Sequence, residues 1–272
     1  MISTIQEFNE YWGRRFRQHL VVLGCMVRFK HAVPPHDKWQ IFLGSGFVLC
    51  NGDNWYFATA GHCLKELHEL LKQKGIEHYR PFLKFDFEND SEAVEPRFFD
   101  LEKREFEFID EDKKGIDLGL LKLQHLEIEA FKKAEKIPLT EDKWMSRPSG
   151  HFDCHFIVGT PNETAYPTDD DGTHSVTINA STFVIRPVDA EPDKIKPDIP
   201  WLSFAVSDSI PLKSIVGMSG GPIFGLRQIG NQINYWVVAV QSQWNAPKRI
   251  AFACRMPEFS RIFELINGEN HL

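Results

Sequence analysis

The apolar positions along the chain change their period twice. Over residues 1–19, Ile5, Phe8, Trp12 and Phe16 recur at spacings of three and four, the stripe of an amphipathic helix. From residue 20 the apolar positions gather into short runs rich in Val, Ile, Phe and Tyr: LVVLGCMVRF, WQIFLGSGFVLC, NWYFATA, DLGLLKL, HFIVG, HSVTINASTFVI, YWVVAVQS and IAFACRM. Turn signals separate them, NGDN at 51–54 and DDDG at 169–172 among them. Near the end, Met256, Phe259, Ile262, Phe263 and Ile266 return to helical spacing. Pro257 suits a first helical turn, and Gly268 the cap beyond the last. Many short strands with few helical stretches predict an all-β barrel or sandwich with a helix at each end.

Three stretches interrupt this pattern. In 86–114, Phe alternates with acidic residues, as in REFEFIDEDKK, which reads as a polar hairpin or an exposed insertion. From 126 to 150 the strand pattern lapses, and Pro138, Pro148 and Gly150 mark a linker. The segment EPDKIKPDIP at 191–200 reads as a surface loop.

Composition narrows the classes. A chain of 272 residues holds one large domain or two small ones and can bury a real core. A formal net charge of -7 argues against a nucleic-acid binder, and the one dense basic cluster, Arg14, Arg15 and Arg17, reads as a solvated helix face. The longest apolar run, over 20–27, falls far short of the roughly 20 residues of a membrane span. The N-terminus has no basic start followed by an apolar block, so no secretory signal is expected. Cys25, Cys50, Cys63, Cys154 and Cys254 are odd in number and form no CxxC pair, which points to buried free thiols in a reducing, cytoplasmic compartment.

Three short stretches carry chemistry together. Thr59-Ala60-Gly61-His62-Cys63 ends the run NWYFATA. Asp117-Leu118-Gly119-Leu120-Leu121 opens a strand after Gly115, and Gly217-Met218-Ser219-Gly220-Gly221-Pro222 is a glycine-rich turn. A serine hydroxyl needs an adjacent base to become a nucleophile, and histidine titrates near working pH. A buried carboxylate would hold the imidazole in the useful tautomer. Glycines around Ser219 let the backbone aim amides at one point, and Gly217 and Ser219 are the natural oxyanion donors. Each stretch alone has a bland reading as a strand end, a buried strand or a tight turn. Their joint occurrence in this order points to acyl transfer.

This set resembles the chymotrypsin and trypsin family of serine proteases, whose marks are a T-A-x-H-C strand end, a D-[LIV]-[AG]-L-L strand and a G-x-S-G-G-P loop. Gly44-Ser45-Gly46-Phe47-Val48 and Val158-Gly159-Thr160-Pro161 are similar to segments of bacterial members. The resemblance implies two antiparallel six-stranded β-barrels with the site between them, here with an added N-terminal helix and a C-terminal helix. It divides the chain into an N-terminal helical extension (1–19), a first barrel (20–130), a linker (131–150) and a second barrel with the C-terminal helix (151–272). It implies a cofactor-free, metal-free serine endopeptidase acting on a protein or peptide, with His62 and Asp117 on the first barrel and Ser219 on the second. Ser242 is similar to the strand residue that lines the substrate backbone and hydrogen-bonds the triad acid. Lys213 stands where the family has the base of its primary pocket. It would select an acidic side chain there, or face solvent if the loop SIPLKSIVG is built differently.

The sequence also departs from the family. Met218 replaces the aspartate that pairs with a cleavage-made N-terminus, and no cysteine stands in 42–48 to partner Cys63. Control by a regulatory protein partner or by loop ordering is therefore expected. The alternative is a catalytically silent or latent module that binds a partner, with the N-terminal helix as a docking element. Other polar groups compete less well. His151 and His155 flank a strand run, where an i, i+4 spacing makes no metal site. Asp169, Asp170 and Asp171 lack the longer pattern of a calcium loop. Asp100, Asp110 and Asp112 rival Asp117 as orienting acid but sit in charged sequence.

Overall fold

The computed structural model describes residues 4–30, 39–85, 95–145, 150–170, 173–193 and 196–268. Helix α1 (Ile5–Arg17) begins at Thr4, whose side chain accepts from the Glu7 amide while the Glu7 carboxylate accepts from the Thr4 amide. This reciprocal cap satisfies donors that a helix start leaves open. The stripe read from the sequence is turned inward: Trp12 and Phe16 are buried, and the Phe16 ring stacks on Phe224 at 4.2 Å between centroids. Phe8 and Phe16 also meet Phe156. The apolar face of α1 is therefore consumed within the chain, which corrects its reading as a docking element for another protein.

The first half is an antiparallel sheet of β1 (Leu20–Phe29), β2 (Gln40–Asn51), β3 (Asn54–Thr59), β4 (Ile76–His78), β5 (Phe82–Lys84), β6 (Arg97–Phe98), β7 (Phe106–Glu111) and β8 (Ile116–Lys122). The strand order is β6-β5-β1-β2-β3-β8-β7, with β4 beside β1. Among the described residues its two end strands are not paired, so this half is a curved sheet of eight strands where a closed six-stranded barrel was expected. Gly52 and Asp53 close the β2–β3 hairpin. Strands β7 and β8 pair from Phe106↔Leu121 to Glu111↔Ile116, so part of the charged stretch is the polar hairpin.

The strand β3 runs into helix α2 (Gly61–Lys72), which buries Cys63, Leu64 and Leu67 against the sheet. This helix went unrecognised in the sequence, although its Leu spacing carries the signal. Helices α3 (His125–Lys133) and α4 (Glu141–Trp144) occupy part of the stretch expected as linker. Between them, Leu139 exchanges backbone hydrogen bonds with Val48 and Cys50 of β2. A buried ion pair, Arg104 to Glu127, fixes α3, the guanidinium also donating to the Lys122 carbonyl.

The second half contains β9 (Cys154–Gly159), β10 (Ala165–Asp170), β11 (Thr173–Ile178), β12 (Ser181–Val188), β13 (Leu202–Val206), β14 (Pro222–Ile229), β15 (Gln232–Asn245) and β16 (Ile250–Arg255). Six of them close an antiparallel barrel, β12-β13-β16-β15-β14-β9, while β10 and β11 form a separate hairpin. The run 174–185 thus splits at Asn179 and Ala180 between two sheets. Helix α5 (Met256–Gly268) follows β16 directly, and Gly268 falls inside its last turn. Of the acidic run at 169–172, Asp169 and Asp170 end β10, while Asp171 and Gly172 lie outside the described residues. The architecture is all-β: among the described residues the second half closes as a six-stranded barrel, and the first is an eight-stranded antiparallel sheet. A shared core joins the halves, with Phe47, Leu118 and Leu120 from the first and Phe156, Phe224 and Val240 from the second.

Candidate active site

His62 enters the fold as the second residue of α2, where the chain leaves β3. The turn needs glycine at position 61. A Cβ there would lie 2.1 Å from the Ile109 carbonyl oxygen and 2.7 Å from that of Leu118, so only a bare backbone fits against the paired strands β7 and β8. Asp117, 1% exposed at the start of β8, faces this turn. Its Oδ1 accepts from the His62 amide at 2.9 Å, and its Oδ2 from His62 Nδ1 at 2.8 Å. A carboxylate only accepts, so Nδ1 carries a proton, and in the neutral ring Nε2 is the nitrogen left with its lone pair.

Ser242 completes the arrangement, its hydroxyl donating to Asp117 Oδ2 across 125 residues of sequence. The strand register explains how. Gln241 pairs with Ala253 and Gln243 with Phe252, so Ser242 is the extra residue of a β-bulge in β15. A bulge re-aims one side chain out of the alternation, here toward the carboxylate. Burial alone would push the Asp117 carboxyl up. Its bonds from the His62 ring, the Ser242 hydroxyl and the His62 amide outweigh that and hold it below the usual carboxylate range. Burial works against the His62 imidazolium, but the Cys63 sulfur and the Asp117 carboxylate overcome it, and its pKa is raised.

The loop of Ser219 lies against this corner. The Ser219 carbonyl accepts from the Ser45 amide at 2.9 Å and from the Cys63 thiol at 3.6 Å, linking the second barrel to β2 and α2. The Cys63 sulfur also lies 3.6 Å from His62 Nε2. The Ser219 hydroxyl itself donates to the Ser242 carbonyl at 3.3 Å. Across from Cys63 stands Gly44, where a Cβ would come within 3.2 Å of the sulfur, and the thiol is free.

The backbone of the loop is unusual in what it leaves open. The amides of Met218, Gly220 and Gly221 donate to Ile215, Gln241 and Met218 carbonyls. Those of Gly217 and Ser219 donate to no group among the described residues. Gly217 sits at φ +96, and a Cβ there would lie 2.2 Å from Asn162 Oδ1. Met218 is fully buried among Ile157, Ile215 and Ile223, so apolar packing anchors the loop.

Lys213 is exposed, and its amide and that of Ser214 donate to the Glu163 carboxylate. The solvent-facing reading of this residue therefore describes the structure, and the buried pocket base does not. The rival acids are engaged elsewhere. Asp100 caps a 3₁₀ turn beside Lys103, Asp110 pairs with Lys65 at 2.8 Å, and Asp112 accepts from Gln243 Nε2 at 3.0 Å. His151 is exposed, while the His155 ring packs between Phe152 and Phe204, its pKa lowered by burial to about 4.

Neither a protein-family model nor a curated protein matches the chain. Solved structures with a similar backbone include three proteins named as a protease, a serine protease and a collagenase. The Rv3671c protease of M. tuberculosis in its active form aligns over 91% of this chain and 80% of its own at 14% identity, with a TM-score of 0.44. The thermostable serine protease AL20 from an extremophilic microorganism aligns over 88% and 93% at 11% identity, TM-score 0.46. HL collagenase aligns over 90% and 93% at 13% identity, also at 0.46. These likenesses are distant, and the chemistry below is that of this chain's own residues. No helix among the described residues is long and apolar enough to cross a membrane.

Proposed function

We propose that the protein is a serine endopeptidase. The observation that carries this reading is the chain of bonds Ser242–Asp117–His62, which turns Nε2 toward the corner of the Ser219 loop, where two amides donate to nothing among the described residues. In the proposed reaction His62 Nε2 takes the Ser219 proton as Oγ attacks the scissile carbonyl carbon. Asp117 steadies the imidazolium that results, and the Gly217 and Ser219 amides receive the oxyanion. Collapse of the tetrahedral species passes the proton to the leaving amine and leaves an acyl group on Ser219. Water, deprotonated by the same histidine, then releases the acid.

The second reading, a latent module awaiting a partner, draws on one observation. The Ser219 hydroxyl is turned to the Ser242 carbonyl at 3.3 Å while the Cys63 sulfur occupies the Nε2 side of His62. Rotation about one side-chain bond would redirect Oγ, so activation would require little more than ordering of this corner.

Labelling with a fluorophosphonate tests the proposal. Wild-type protein is expected to react, and Ser219→Ala and His62→Ala proteins are not. Equal labelling of wild type and Ser219→Ala would remove Ser219 as nucleophile. Complete silence of the wild type would favour the latent module.

A further inference from the structure

Beside the bulge that carries Ser242, a cleft of about 600 Å³ opens along the next residues of β15. Its walls include the rings of Trp201, Trp244 and Phe252, and its polar groups include Asp112, Asp193 and Gln243. The two carboxylates differ in what they already hold. Asp193 is exposed and bonded to Lys248 and Asn245. Asp112 is half-buried in the turn between β7 and β8, accepts one hydrogen bond from the Gln243 amide, and has no ion-pair partner among the described residues.

Such a carboxylate is costly. Burial and the neighbouring charges of Asp110 and Asp117 push the Asp112 carboxyl above its ordinary range, which marks a site short of positive charge. Asp110 has Lys65 and Asp117 has His62, so the shortfall falls on Asp112. Aromatic faces next to an unneutralised carboxylate are the surroundings in which a guanidinium or ammonium group gains from both charge and ring contact.

We propose that this cleft is a subsite for a cationic side chain, arginine or lysine, of a peptide bound along Ser242–Trp244, with Asp112 as its charge partner. The proposal rests on the peptidase reading, because that reading lays the substrate beside this strand. It names the substrate class: peptides basic within a few residues of the bond that is cut. It also places selectivity in a turn of the first sheet, well away from Lys213.

The test uses the full chain carrying Ser219→Ala, so that binding is read without turnover. Octapeptides of alanine and glycine carry one arginine, one lysine or one citrulline at each position in turn, and affinity is measured by fluorescence anisotropy. Citrulline keeps the shape of arginine without its charge. At one position arginine is expected to bind at least about tenfold tighter than citrulline, the scale of one hydrogen-bonded charge contact. Adding Asp112→Asn should abolish the difference, and Asp112→Glu should retain it. Equal binding of arginine and citrulline peptides at every position, or an advantage that survives Asp112→Asn, overturns the proposal. Fluorophosphonate labelling of Ser219 decides the peptidase reading separately, so failure of one is not mistaken for failure of the other.

Discussion

His19 ties the end of α1 to both neighbouring segments, and its protonation gives a sharp prediction. The ring is 1% exposed, with Nδ1 2.7 Å from the Ile137 carbonyl and Nε2 3.0 Å from the Tyr235 hydroxyl. The carbonyl only accepts, so the neutral ring with its proton on Nδ1 satisfies both contacts. Burial lowers the pKa from 6.5 to about 4, and the charges of Arg15, Lys136 and Lys143 add to this against the opposing pull of the Ile137 carbonyl. Because the folded value lies below the unfolded one, the unfolded chain binds the proton first. The contribution to stability is full above pH 6.5 and falls as the pH drops toward 4. One pH unit in this window is worth up to about 1.4 kcal/mol, so about 2 kcal/mol is lost by pH 5 and about 3 kcal/mol by pH 4. Urea unfolding at pH 7 and pH 5 measures it, with His19→Asn as the comparison, since asparagine offers Ile137 an N–H and cannot titrate. Wild type should lose about 2 kcal/mol more than the variant between the two pH values. His155, half-buried and also lowered to about 4, titrates in both proteins and cancels. Equal losses would refute the reasoning.

Two further expectations concern the loop and the helix. Gly217→Ala forces a side chain into a backbone at φ +96 and against Asn162, so the Gly217 and Ser219 amides should shift and the fluorophosphonate labelling rate fall roughly 10²-fold or more; an unchanged rate would separate this loop from the chemistry. Phe16→Ala empties a fully buried site between Phe224, Phe156 and Tyr235 and should cost about 3–5 kcal/mol in denaturant unfolding; a loss under about 1 kcal/mol would mean that α1 is not held as described.

What was legible in the sequence was local. The period of Phe8, Trp12 and Phe16 marked α1, and short branched and aromatic runs bounded by turn residues marked most of the strands. Glycines around Ser219 marked where the backbone must fold tightly. Helix α2 escaped because the motif Thr59–Cys63 reads as a strand end, although Leu64, Leu67, Leu70 and Leu71 beyond it stand at helical spacing. The open first sheet escaped because closure depends on which end strands meet, and edge pairing leaves little trace in the alternation of a single strand.

The sequence by itself determined an all-β chain with helical ends and three motifs suited to acyl transfer, because residue periodicity and glycine placement are properties of neighbours. Tertiary structure alone decided which carboxylate among Asp100, Asp110, Asp112 and Asp117 reaches His62, since that depends on the register of β7 with β8 and on a bulge 125 residues away. It likewise turned the face of α1 inward, sent Lys213 to solvent and, among the described residues, left Asp112 without a cation. A contact between distant strands is set by how sheets pair and pack, and no stretch of residues carries that information alone.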